Sequence, residues 1–205
     1  MSTKCKSEKV VCVSLEVDDT AVPQFTTLLQ SGIFLEAEQG ETIGGLLAAL
    51  PGFSEEYIKT RVQTIFLNGL PADDLDQPIF GSKALLAIST AMPGLAGAIF
   101  RKGGKHASLR TTPIEKSPAA VTRGSVVVRL KIFALIAKEK GEEILAHGCR
   151  VMAAGLGKSL AYRPPLVDAI REARLNGMSV DIQNLLHSLS ENTMIDLTIR
   201  GHHGS

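Results

Sequence analysis

The spacing of apolar and polar positions along this chain changes several times, and each change marks an element. Residues 9–17 (KVVCVSLEV) place Val and Leu on alternating or continuous apolar positions, the pattern of a strand. Residues 21–31 (AVPQFTTLLQS) suit a short helix, with Pro23 in its first turn and Gly32 as its stop. A second strand is predicted at 33–37 (IFLEA), ended by Gly40. Thr42 is placed to cap a helix over 43–50 (IGGLLAAL) that Pro51-Gly52 terminates. Strands follow at 62–67 (VQTIFL) and 84–90 (ALLAIST), with Asn68-Gly69 as a turn pair.

Residues 101–124 (RKGGKHASLRTTPIEKSPAAVTRG) are basic, small and broken by Pro, the composition of a linker or loop. The pattern then starts again. It predicts a strand at 125–131 (SVVVRLK), a helix at 132–140 stopped by Gly141, and helix or strand over 142–153 running to Gly155. A helix is predicted at 166–175 behind Pro164-Pro165, and a last strand at 194–199 (MIDLTI). The fold class is therefore α+β. The first series, strand, short helix, strand, helix, strand, strand, describes a β-grasp (ubiquitin-like) unit over residues 8–100, in which a helix covers one face of a mixed sheet. Residues 125–205 form a second α+β unit, with a diverged β-grasp copy as one reading. Both halves open on a Val-rich strand and both carry Leu-Asn-Gly, at Leu67-Asn68-Gly69 and Leu175-Asn176-Gly177, followed by Asp73 or Asp181. Against a duplication, 166–175 reads as helix where the repeat requires a strand.

Composition narrows the function classes. The 205 residues are 44% hydrophobic but only 4% aromatic with no Trp, so the core must be aliphatic. A net charge of +1 gives no overall field for nucleic acid or an anionic membrane. The apolar stretch 84–100, uncharged between Lys83 and Arg101, is interrupted by Met92-Pro93-Gly94 and reads as a strand followed by a Gly-rich loop rather than a membrane span. The three cysteines, Cys5, Cys12 and Cys149, show neither a metal spacing nor a disulfide framework. The first thirty residues lack the pattern of a secretory signal, so a cytoplasmic location is expected.

Two runs carry a family resemblance. Glu41 to Leu50 (ETIGGLLAAL) resembles the acidic-Thr start of the Leu-rich helix in the β-grasp sulfur carriers, the small subunit of molybdopterin synthase and the thiamine-pathway carrier. Ile65 to Ser89 is similar to their segment of strand, Asn-Gly, Asp, loop and strand, with Asn68, Gly69, Asp74 and Gly81 in matching places and Ser82 where Asp is usual. Val126 to Glu143 also looks like the family's opening strand and helix. The resemblance implies a β-grasp fold, an activating or cofactor-synthesis enzyme as partner, and chemistry at a free C-terminal Gly-Gly. This chain departs there. Pro93-Gly94-Leu95-Ala96-Gly97 keeps one Gly of the family's tail, a Gly-Gly follows internally at Gly103-Gly104, and the last residues, Gly201 to Ser205, are not Gly-Gly. The expected function is thus a non-enzymatic protein-binding or self-associating module. The alternatives are a carrier precursor processed after Gly104 and a small nucleotide- or anion-binding protein.

Other constellations point to little chemistry. Residues 152–159 (MAAGLGKS) match the end of a phosphate-binding loop at Gly157, Lys158 and Ser159, but Met152 stands where its first Gly belongs. His106, His147, His187, His202 and His203 converge on no ligand set by spacing, although Cys149 is near His147. Asp18-Asp19 and Asp73-Asp74-Asp76 read as solvated loop carboxylates. The basic run Arg101, Lys102, Lys105, His106 and Arg110 lacks the interleaved aromatics of a single-strand nucleic-acid platform. No nucleophile elbow is present. No catalytic residue, metal or cofactor is expected.

Overall fold

A computed structural model of the chain describes residues 10–91, 94–105, 124–189 and 192–202. Its elements run β1 (Val11–Asp18), a 3-10 turn (Asp19–Ala21), α1 (Val22–Phe25), α2 (Leu28–Ser31), β2 (Ile33–Glu38), α3 (Ile43–Ala48) and α4 (Glu55–Arg61). There follow β3 (Thr64–Leu67), β4 (Leu70–Pro71), β5 (Lys83–Ser89), α5 (Gly94–Phe100), β6 (Ser125–Ile132), α6 (Ala134–His147) and β7 (Cys149–Met152). The chain goes on through α7 (Ala153–Ala161), α8 (Pro164–Asp168), β8 (Ile170–Leu175), β9 (Met178–Ser179), α9 (Ile182–Ser188) and β10 (Met194–His202).

Helix starts follow side-chain chemistry. The Thr42 hydroxyl accepts the Gly45 N–H at 3.0 Å, as the sequence predicts, and the Ser54 hydroxyl does the same for Tyr57 at the start of α4. Asp181 caps α9 through the N–H groups of Gln183 and Asn184.

All ten strands join one mixed sheet in the order β4-β3-β5-β6-β2-β7-β10-β1-β8-β9. Buried positions alternate along them, as at Val13, Leu15 and Val17 of β1, Val126, Val128 and Leu130 of β6, and Ile195, Leu197 and Ile199 of β10. One face therefore packs on most of the helices, and the other carries mainly the charged and polar residues between these positions, with Phe66 and Leu85 at its β3–β5 end, where α5 packs. The two outermost strands have two residues each, which leaves little edge for pairing with other chains.

Four sequence expectations change. Residues 166–175 are not one helix: α8 ends at Asp168 and Ile170–Leu175 is strand β8, antiparallel to β1. The cause of the misreading is a bulge. Val17 faces Ile170 while Glu16 faces Glu172, so Arg171 is an extra residue, and the inserted position gives the strand a helix-like spacing. Second, Gly141 does not stop a helix, because α6 runs through it to His147. A Cβ there would lie 2.6 Å from the Thr26 methyl carbon, so the glycine admits close packing instead. Third, the residues after β5 form helix α5 rather than a loop, and among the described residues no helix is long and apolar enough to cross a membrane. Fourth, 142–153 resolves into the end of α6, a turn at Gly148 and strand β7.

The two sequence halves are interleaved. β6, from the second half, lies between β5 and β2 of the first, parallel to β5 and antiparallel to β2. β1, from the first half, lies between β10 and β8 of the second, parallel to β10 and antiparallel to β8. The five strands on either side of the β2–β7 joint therefore each include one supplied by the other half.

Candidate functional site

Gly103-Gly104 is not an extended tail. The segment from α5 to Lys105 folds back over the end of β3. Phe100 packs on Phe66 with ring centroids 5.3 Å apart, and the Lys102 N–H donates to the Gln63 carbonyl at 2.6 Å. The Gly103 N–H donates to Asp73 Oδ1 at 3.4 Å, and the Gly104 N–H to the Arg101 carbonyl at 3.0 Å. The Lys102 ammonium lies 3.5 Å from the Ile58 carbonyl, where burial lowers its pKa and the nearby Asp73 opposes that shift. Arg101 of the basic run is bound to Gln63 Oε1, while His106 and Arg110 lie outside the described residues.

Gly157, Lys158 and Ser159 sit within α7, so the loop of inward-facing N–H groups that a phosphate would need is not formed. Ser159 is buried, and its hydroxyl accepts from the Arg163 guanidinium, 2.8 Å away. The acidic clusters are tied into turns and pairs. Asp18 accepts two hydrogen bonds from Arg171, which hold its carboxyl below the usual range, and Asp74 Oδ1 accepts the Asp76 N–H. Among the described residues no three His, Cys, Asp or Glu side chains come together as a metal site. His187 contacts the Gln183 carbonyl one turn back, and His202 lies 3.6 Å from Glu16. Cys5 and His203 lie outside the described residues.

The most built feature is one that the sequence reading missed, at the centre of the sheet. β2 and β7 share a single residue pair, Phe34 with Arg150. On the open face Arg150 spans the joint. Its Nη1 donates to Glu36 on β2 at 3.1 Å, and its Nε to Asp196 on β10 at 2.8 Å. Beside this bridge is a cleft of about 730 Å³, lined by β2, the end of α3, the end of α6 and β10. Its apolar wall includes Leu35, Leu50, Pro51 and Ile144, and its polar wall Glu36, His147, Arg150 and Thr198. Cys149 is at the same place, with burial and the nearby Asp196 pushing its thiol up to about 12. A thiol so held stays protonated at neutral pH and is a poor nucleophile. Nothing in a single sequence pairs Glu36 with Arg150, because their meeting depends on strand register across the two halves.

The geometry offers an open sheet face and a cleft with one apolar and one polar wall. Compared with known families, curated proteins and solved structures, the chain matches none.

Proposed function

We propose that this chain is a pair of interleaved β-grasp units that works by binding a protein partner or a second copy of itself, and that it does not release a sulfur carrier. The β-grasp reading is supported by the strand set β4-β3-β5-β6-β2, a mixed sheet with a parallel central pair, and by the family-like runs at Glu41–Leu50 and Ile65–Ser89. The observation that carries the function is the position of β6. It follows Gly104 in the chain yet lies between β5 and β2. A cut after Gly104 would assign a central strand of the carrier-like half to the other fragment. A Gly103-Gly104 folded against Gln63 and Asp73 is also poorly presented to an activating enzyme, whose channel needs an extended tail. With the Gly157-Lys158-Ser159 run inside a helix, the nucleotide-binding alternative has the weaker support.

The test is the intact mass of the protein isolated from its own cells after mild cross-linking. Full-length chain joined to a protein or to another copy is the expected result. A species ending at Gly104, with the mass of oxygen-to-sulfur exchange at its terminus, would overturn the proposal.

A further inference from the structure

The central cleft has the shape of a missing strand. Phe34 of β2 and Asp196 of β10 both face Arg150, so β7 is the spacer between them, and β2 and β10 are parallel to each other at two strand spacings, roughly 10 Å. β7 begins only at Cys149. Before it, Gly148 carries the chain up into α6. β2 continues to Glu38 and β10 to His202, each fully paired on its far side, with β6 and β1 respectively. Past Gly148 the two strands therefore flank a gap one strand wide, and no described strand fills it.

The alternation of the ladder identifies the groups facing that gap. The Gln39 N–H points to Gly124 and the Val127 N–H to Ser82, so odd-numbered residues of β2 serve β6. Glu36 then turns its backbone N–H and C=O to the gap and Glu38 its N–H, while the Glu38 carbonyl accepts the Glu41 N–H at 3.1 Å. On β10 the Thr193 carbonyl accepts from Ala153 on the β7 side, so Ile199 is the next described position facing the gap beyond the β7 pairing. Arg200 reaches across the far end, where its Nε donates to the Ala146 carbonyl at 3.1 Å.

The walls define the occupant. Leu35, Leu50, Pro51 and Ile144 make an apolar floor beneath the gap. On the open face the β2 flank beyond Phe34 carries Glu36, which Arg150 bridges to Asp196, and Glu38, which has no ion pair among the described residues. The Glu36 and Glu38 side chains are exposed on the open face, across from the floor. We propose that this gap receives an extended segment of a protein partner, with apolar and basic residues alternating, as an added strand beside β2. Apolar side chains would lie on the floor, basic ones would face the two glutamates, and Arg200 would swing aside on entry. This rests on the reading of the chain as a binding module and names where it binds.

The probe is the peptide acetyl-Val-Lys-Val-Lys-Val-Lys-amide, with the Val-Glu version as control, each added to the full chain up to about millimolar concentration. Residue-resolved amide exchange is the readout. The Lys peptide should slow exchange at Glu36, Glu38 and Ile199 by about tenfold or more, and the Glu peptide should not. Glu38→Lys, an exposed change checked for an unaltered unfolding midpoint, should weaken the Lys peptide several-fold, and Arg200→Ala should strengthen it. Absence of slowing, equal slowing by both peptides, or slowing confined to β4 or β9 would overturn the proposal. A cross-linked partner that persists while the peptide fails would place the binding surface elsewhere and leave the broader reading intact.

Discussion

At the scale of single residues, two asparagines set the architecture. Asn68 and Asn176 both hold left-handed backbone, at φ 52° and 51°, each followed by a glycine at φ 84°. Both turns were legible as Asn-Gly pairs, since Asn and Gly tolerate that conformation. What the side chains then do was not legible. Asn68 brackets Leu85 of β5: its N–H donates to the Leu85 carbonyl, and its Oδ1 accepts the Leu85 N–H at 2.9 Å. Asn176 brackets Cys12 of β1 by the same two bonds, at 2.8 and 3.0 Å. β5 and β1 are thus held alike although β5 is the last strand of the first half and β1 the first strand of the chain. Asn176→Ala should cost about 2 kcal/mol, one part from the lost side-chain bond and one from the left-handed backbone. Asn176→Gly should cost about half as much, since only the bond is lost. Equal unfolding midpoints for the two variants in denaturant melts would refute this division.

Cys149 gives a pH prediction at the same scale. Its folded pKa is raised from 9.0 to about 12, so its contribution to stability is complete below pH 9 and is lost as pH rises toward 12, where the unfolded thiol ionises first. The loss should be at most about 1.4 kcal/mol per pH unit, and Cys149→Ala should flatten that part of the stability curve. Alkylation at pH 8 should mark exposed Cys12 much faster than half-buried Cys149, whose thiol stays protonated there. Rapid labelling of both in the native protein would contradict the burial.

Among the elements, the strands with plain alternation and the helix capped by Thr42 could be read directly, because periodicity and capping are local. The failures have local causes as well. A bulge at Arg171 hid β8, and a glycine used for packing in α6 looked like a stop signal. Propensity alone says that Gly141→Ala should stabilise α6 by about 1 kcal/mol. The packing says the reverse, since the new methyl would press on Thr26 and Leu29, and overpacking costs about 1–3 kcal/mol. A lowered thermal midpoint for Gly141→Ala supports the packing account, and a raised one would refute it. The same helix ties α4 to the rest of the fold. Glu139 accepts from Arg61 and from the Tyr57 hydroxyl, and the Arg61 partnership holds its carboxyl below the ordinary range. The stabilisation from that pair is present above the unfolded pKa and fades as pH falls through the folded one. Solvent exposure of the pair keeps that contribution small.

For the whole molecule, the hydrophobic pattern tells each strand which face to bury and leaves open which strand to pair with. That is why the α+β class was legible and the division at residues 101–124 was not the seam of the sheet. The buried positions of both halves form one continuous core, and the joint at Phe34–Arg150 is narrow and bridged by charge. Exchange of β1 and β6 holds the halves together more firmly than that joint could, because separation would break four inter-strand ladders as well. The most direct measurement is to insert a protease site between Gly104 and Lys105, cut the folded protein, and follow it by native mass spectrometry and thermal unfolding. The interleaved architecture predicts that the two pieces stay together at the mass of the uncut chain and unfold in one transition. Pieces that part without denaturant, with residues 1–104 folded alone, would contradict it.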